Sequence, residues 1–176
     1  FRELVDKLYG ENSEFRELLG LIAKADDTSL YTHVFLYEVK SILGWFKYGV
    51  NREKLVSELK DLLRMLANLE NIQVPMICGY YVCLTVVRVG KLEKVVLGEW
   101  ERYTRYVEEC MKQCPRLKHV YVVSAGSTVL KIIEDLLDYM VKNIPNIRLI
   151  DRTRYKARYY KGKPNVPSYV AVLEIG

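Results

Sequence analysis

The sequence predicts an α/β (or α+β) fold, with an N-terminal helical layer of about four helices packed on a small mixed sheet of β-α-β-α-β-β order. Three observations carry this reading. Residues 1–70 repeat their apolar positions at helical spacing, the period changes at Asn71, and beyond it Val-, Ile- and Tyr-rich runs alternate with amphipathic stretches. With 176 residues, half of them hydrophobic, the chain has enough apolar surface to bury a core, which excludes disorder as its main state.

The helical region divides at its caps. Arg2–Tyr9 carries Leu4, Val5 and Leu8 on one stripe and stops at Gly10. Asn12 or Ser13 caps a second helix bearing Phe15, Leu18, Leu19 and Ile22. Asp26-Asp27-Thr28-Ser29 offers caps for a third, expected to run to Tyr48 before Gly49, with Val34, Leu36, Val39, Ile42, Leu43 and Phe46 inward. Asn51 caps a fourth helix that buries Leu55, Leu59, Leu62, Leu63 and Leu66. Short connections of this kind favour antiparallel helical hairpins.

From residue 71 the expected elements follow in turn. Tyr80–Val89 is nearly continuous in apolar residues and reads as a strand buried on both faces. Leu92–Gln113 reads as a helix ending before Pro115, His119–Ser124 as a short buried strand, and Ser127–Lys142 as an amphipathic helix closed by Pro145. Ile147–Tyr160 reads as a long strand, Gly162-Lys163-Pro164-Asn165 as a turn, and Ser168–Ile175 as the returning strand. Strand–helix–strand favours a parallel pair, and the last two strands an antiparallel hairpin. The boundary between residues 1–70 and 71–176 lacks the composition of a flexible linker, so one compact unit is expected.

The longest uncharged run, Ile72–Val87, is interrupted by Gln73, Pro75 and Gly79 and is too short to cross a bilayer. No basic-then-apolar leader is seen, so the expected compartment is cytoplasmic and no membrane partner is expected. Glutamine occurs only at Gln73 and Gln113, while Lys, Glu, Val and Tyr abound, a bias resembling that of hyperthermophile, archaeal-like proteins. In such a source a cytoplasmic disulfide becomes an option for Cys78, Cys83, Cys110 and Cys114, beside core packing. Neither cysteine pair has the C-x₂-C spacing of a zinc ribbon, so no metal is assigned.

Charge is the most informative signal. Arg148–Lys163 holds seven cations (Arg148, Arg152, Arg154, Lys156, Arg158, Lys161 and Lys163) and one anion, Asp151, while the whole chain nets +5. The segment's +6 leaves the rest of the chain near neutral. As a strand it sets Arg148, Arg152, Arg154, Lys156 and Arg158 at even positions, and from Arg152 to Arg158 one face carries cations about 6.5–7 Å apart, close to the spacing of phosphates along one nucleic-acid strand. Ile150 and Asp151 break that alternation near its start. Tyr155, Tyr159 and Tyr160 supply stacking surfaces. The leading expectation is a nucleic-acid partner held by Arg148, Arg152, Arg154, Lys156, Arg158, Lys161, Lys163 and Tyr160. Against it stands an edge strand charged only to resist aggregation.

A second expectation is a phosphate site at Ser124, Gly126, Ser127 and Thr128, where a strand ends, a glycine turns the chain and a helix begins with free amides. Over about 20 residues this segment resembles the strand–loop–helix of nucleotide-sensing domains associated with CRISPR systems. The loop has no Lys, so it is not a P-loop. A third expectation is a protein-interaction module or subunit of a larger assembly, using the Tyr-rich surface.

His33 and His119 lack metal-type partners at helical spacing and read as structural. Glu134, Asp135 and Asp138 read as a solvated helix face, whereas Asp151 and Glu174, on neighbouring strands, are the acids placed to meet at a metal. GxSxG, HExxH and GxGxxG are all absent, so no catalytic residue and no cofactor is assigned.

Overall fold

The computed structural model describes residues 28–43, 51–89, 97–125, 130–155 and 168–176. The chain is mixed α/β and forms two compact units, Phe1–Val82 and Cys83–Gly176. Among the described residues there are four α-helices and five strands. The two helices expected before residue 28 lie outside the described residues.

In the first unit, α1 spans Thr28–Leu43 and α2 spans Arg52–Ala67. On α1, Val34, Phe35, Glu38, Val39 and Ile42 are buried, so Phe35 takes the inward place expected of Leu36, which is only half-buried. On α2 the five expected leucines are all buried. Asn51 caps α2 by accepting from the Lys54 N–H at 3.2 Å, relieving one of the orphan donors of the first turn. A short 3₁₀ turn, Leu69–Asn71, ends this region.

The strand expected at Tyr80–Val89 starts later, at Cys83, and a short strand not expected from the sequence precedes it. β1 covers Met76–Cys78 and β2 covers Cys83–Val89, and the chain turns between them where the Gly79 N–H donates to the Val82 carbonyl at 2.8 Å. The order from residue 71 is therefore β-β-α-β-α-β-β, one strand more than expected. The apolar residues Tyr80–Val82 run on into β2 and so hide a turn that is fixed by Gly79 and by a carboxylate distant in sequence (Glu58, described below).

In the second unit, α3 (Leu97–Gln113) follows β2 and leads to β3 (His119–Ala125), then α4 (Leu130–Asn143), β4 (Ile147–Tyr155) and β5 (Ser168–Ile175). Within this unit the strand order is β2-β3-β5-β4. β2 and β3 are parallel, and β5 is antiparallel to both β3 and β4, as the expected crossover and hairpin require. Asn146 makes the turn from α4 into β4 with φ 63°, a left-handed conformation that Asn tolerates.

Register and contacts place α3 and α4 on one face of the sheet. Thr85 of β2 lies opposite Val120 of β3, and Ser124, four residues on, lies opposite Tyr169 of β5, so positions 85 and 169 share a face. Tyr106 of α3 bonds the Thr85 hydroxyl at 2.9 Å, and Glu134 of α4 accepts from Tyr169. Along α3, Tyr103, Val107 and Cys110 are buried, and along α4, Ile133, Leu136, Leu137 and Met140. Each such side chain contributes about 1.5–3 kcal/mol of apolar burial. β2 is buried on both faces except at Arg88, as its composition predicts.

Candidate nucleic-acid interface

The basic segment begins as the edge strand β4, and its geometry departs from a straight ladder. Leu149 lies opposite Leu173 and Asp151 opposite Val172, so Ile150 is an extra residue, a β-bulge. One inserted residue reverses the alternation beyond it. Arg148 lies opposite Glu174, on the face of Val172 and Val170, whereas Arg152 lies opposite Ala171 and Arg154 opposite Tyr169, on the other face. The expectation that Arg148 continues the even-numbered row is therefore corrected. Ile150 and Asp151, the two residues out of pattern in the sequence, mark the place.

The first two arginines also have acid partners. Arg148 donates to Glu174 Oε1 at 2.5 Å, across the β4–β5 pair. This hydrogen bond, followed by the charge of Arg148 and then those of His119 and Lys118, lowers the Glu174 carboxyl below its ordinary range. His119, buried at the start of β3, has Nε2 at 3.9 Å from the other oxygen of Glu174. Arg152 donates from Nη1 to Glu134 Oε2 at 2.5 Å. Glu134 Oε1 accepts from the Tyr169 hydroxyl at 3.2 Å. Burial, reinforced by the negative charge of Glu134, raises the Tyr169 phenol well above its ordinary range, so it stays a donor. Arg148 and Arg152 remain exposed, and each is paired with an acid, from β5 and α4 respectively.

Glu134 and Tyr169 are the residues that the sequence reading missed. By sequence Glu134 belongs with Asp135 and Asp138 on a polar helix face, and only the placement of α4 above β5 brings it to Arg152. Asp151 spends Oδ1 on the N–H of Arg152 at 2.8 Å, and Glu174 is engaged by Arg148. Among the described residues no group of three His, Cys, Asp or Glu side chains is placed to hold a metal ion.

Of the other expected contacts, Lys156, Arg158, Tyr160, Lys161 and Lys163 lie outside the described residues, and Arg154 is described in its backbone only. The same holds in the second expected site for Gly126, Ser127 and Thr128, whereas Ser124 is buried near the end of β3. The register nonetheless relates the two sites. Val89, Ser124, Tyr169 and Arg154 form one row across β2, β3, β5 and β4. Ser124 and Arg154 are two strand spacings apart in that row, about 10 Å. The segments after Ala125 and after Tyr155 therefore leave the sheet at the same end, the carboxyl end of its parallel strands, where α/β proteins bind ligands. The chain steps from β2 to β3 to β4 in a single direction, with both helices on one face, so the crevice of a doubly wound sheet is not formed between these strands.

Cys78 and Cys114 are disulfide-bonded, and Cys83 and Cys110 are buried thiols. The Cys110 thiol donates to the Thr85 hydroxyl at 3.6 Å, beside Tyr106, whose phenol burial raises above its ordinary range. These groups are part of the packing between α3 and the sheet. No helix among the described residues is long and apolar enough to cross a membrane.

Neither a protein-family model nor a curated protein matches the chain.

Proposed function

We propose that this is a cytoplasmic, non-enzymatic protein of a nucleic-acid-associated assembly, holding single-stranded nucleic acid at the carboxyl end of its sheet. The contacts assigned are Arg154, Lys156, Arg158, Lys161 and Lys163, with Tyr160 as a stacking surface. Arg148 is left out, because it pairs with Glu174 on the opposite face. What supports the reading is composition: residues 153–167 contain five cations and no acid. This stretch begins at the end of β4, in the same row as Ser124. Cations there would neutralise phosphates and release counterions, and tyrosines would take bases on their faces.

The test is fluorescence anisotropy with a labelled single strand of about 20 nucleotides, as DNA and as RNA, over a salt series. Affinity is expected to fall steeply between about 50 and 200 mM salt. The variant R154A/K156A/R158A should bind at least about tenfold more weakly, with a salt slope shallower by about two. Arg148→Ala should change affinity by less than about twofold, as for an exposed ion pair. Unchanged binding by the triple variant overturns the reading. Thermal stabilisation by a mononucleotide, without oligonucleotide binding, would move the function to the Ser124–Thr128 loop. Co-elution with a protein partner alone would make the chain an interaction module.

A further inference from the structure

Arg152 differs from Arg148 in where its ion pair lies. It follows the bulge, on the face of positions 154 and 169, so it adjoins the acid-free basic stretch, and its side chain is 57% exposed. Its partner is held from two sides: one oxygen of Glu134 takes the Tyr169 hydroxyl at 3.2 Å and the other takes Arg152 Nη1. A guanidinium has five N–H donors in a planar fork. Arg152 thus lies within the basic region with its charge offset by a carboxylate that α4 and β5 fix in place.

We propose that Glu134 masks Arg152 against polyanions, so that Glu134 sets how tightly the carboxyl end of the sheet holds a nucleic-acid backbone. This rests on the nucleic-acid reading above and names a residue that tunes it. A phosphate approaching Arg152 meets the negative charge of Glu134 at the same guanidinium. It must either share the fork against that repulsion or displace the carboxylate from it. Replacing Glu134 by Gln removes the charge and leaves a carbonyl oxygen to accept from Tyr169, so local packing is kept while Arg152 becomes available.

The experiment compares wild type, E134Q, R152A and E134Q/R152A by anisotropy with the same labelled single strand over the same salt series, each variant first checked for an unaltered circular dichroism spectrum. Glu134→Gln is expected to tighten binding about three- to tenfold and to steepen the salt slope by about 0.7, the value of one further phosphate contact on a single strand. The gain should vanish when the same change is made in the R152A background. A gain that persists without Arg152 overturns the proposal, since it would then report only a general change in net charge. Equal or weaker binding by E134Q also overturns it, while wild-type binding leaves the nucleic-acid reading intact. Absence of any wild-type binding overturns that reading and this inference together.

Discussion

Gly79 shows how one residue can be dictated by another 21 positions away. Glu58, buried on α2, accepts the backbone N–H of Tyr81 at 3.0 Å and reaches that of Val82 at 3.5 Å, satisfying the turn between β1 and β2. A Cβ on Gly79 would stand 1.8 Å from Glu58 Oε1 and 3.0 Å from the Val82 carbonyl. Gly79→Ala should therefore force the carboxylate off its donors and destabilise the first unit by about 2–3 kcal/mol, from overpacking and an unsatisfied buried group. A thermal melt reads this as a fall of about 5–10 °C, and an unchanged midpoint would show that the turn does not depend on this contact. The sequence announces a glycine here, and nothing in it announces Glu58. Ile150 is the converse case. Its break in alternation is visible in the sequence, but only pairing with β5 turns the irregularity into a bulge that separates Arg148 from Arg152.

Elements were legible where local chemistry and burial agree. Asn51 was expected to cap a helix and does, accepting from Lys54, while its own N–H donates to the Tyr81 hydroxyl at 2.9 Å. Asn51→Ala should cost about 1 kcal/mol, the usual value of such a cap, and lower the midpoint of the circular dichroism melt by about 2–4 °C. The same midpoint in both proteins would mean that α2 is held by its buried leucines alone. β5 occupies Ser168–Ile175, the range expected from the turn signal Gly162-Lys163-Pro164-Asn165 and the Val-rich run that follows it. β1 was missed because three residues carry too little pattern to be separated from the apolar run that follows. The position of β5 between β3 and β4 is a matter of pairing between distant segments, which periodicity does not report.

For the molecule as a whole, charge and sulfur chemistry have different standing. The concentration of positive charge in residues 148–163 is a property of the sequence, and among the described residues folding pairs Arg148 with Glu174 and Arg152 with Glu134. For the cysteines the sequence left core packing and a disulfide open, and the structure divides the four into two bonded and two buried thiols. Thiol titration of the denatured chain should find two reactive groups before reduction and four after it. Reduction should lower the thermal midpoint by about 5–15 °C, from the 2–4 kcal/mol that a disulfide typically contributes. Four titratable thiols in the unreduced protein would refute the disulfide assignment.

By itself the sequence determined the α/β class, the helix α2 with its cap, the strands β3 and β5, and the acid-free stretch beyond Thr153, since these follow from periodicity, local hydrogen bonding and composition. The tertiary structure alone decided that Arg148 and Arg152 face opposite ways, that Glu174 and Glu134 pair with them, and that Ser124 and Arg154 share one row of the sheet. Those facts depend on which segments lie side by side. That is settled by burying apolar faces between elements far apart in the chain, a choice no local pattern records.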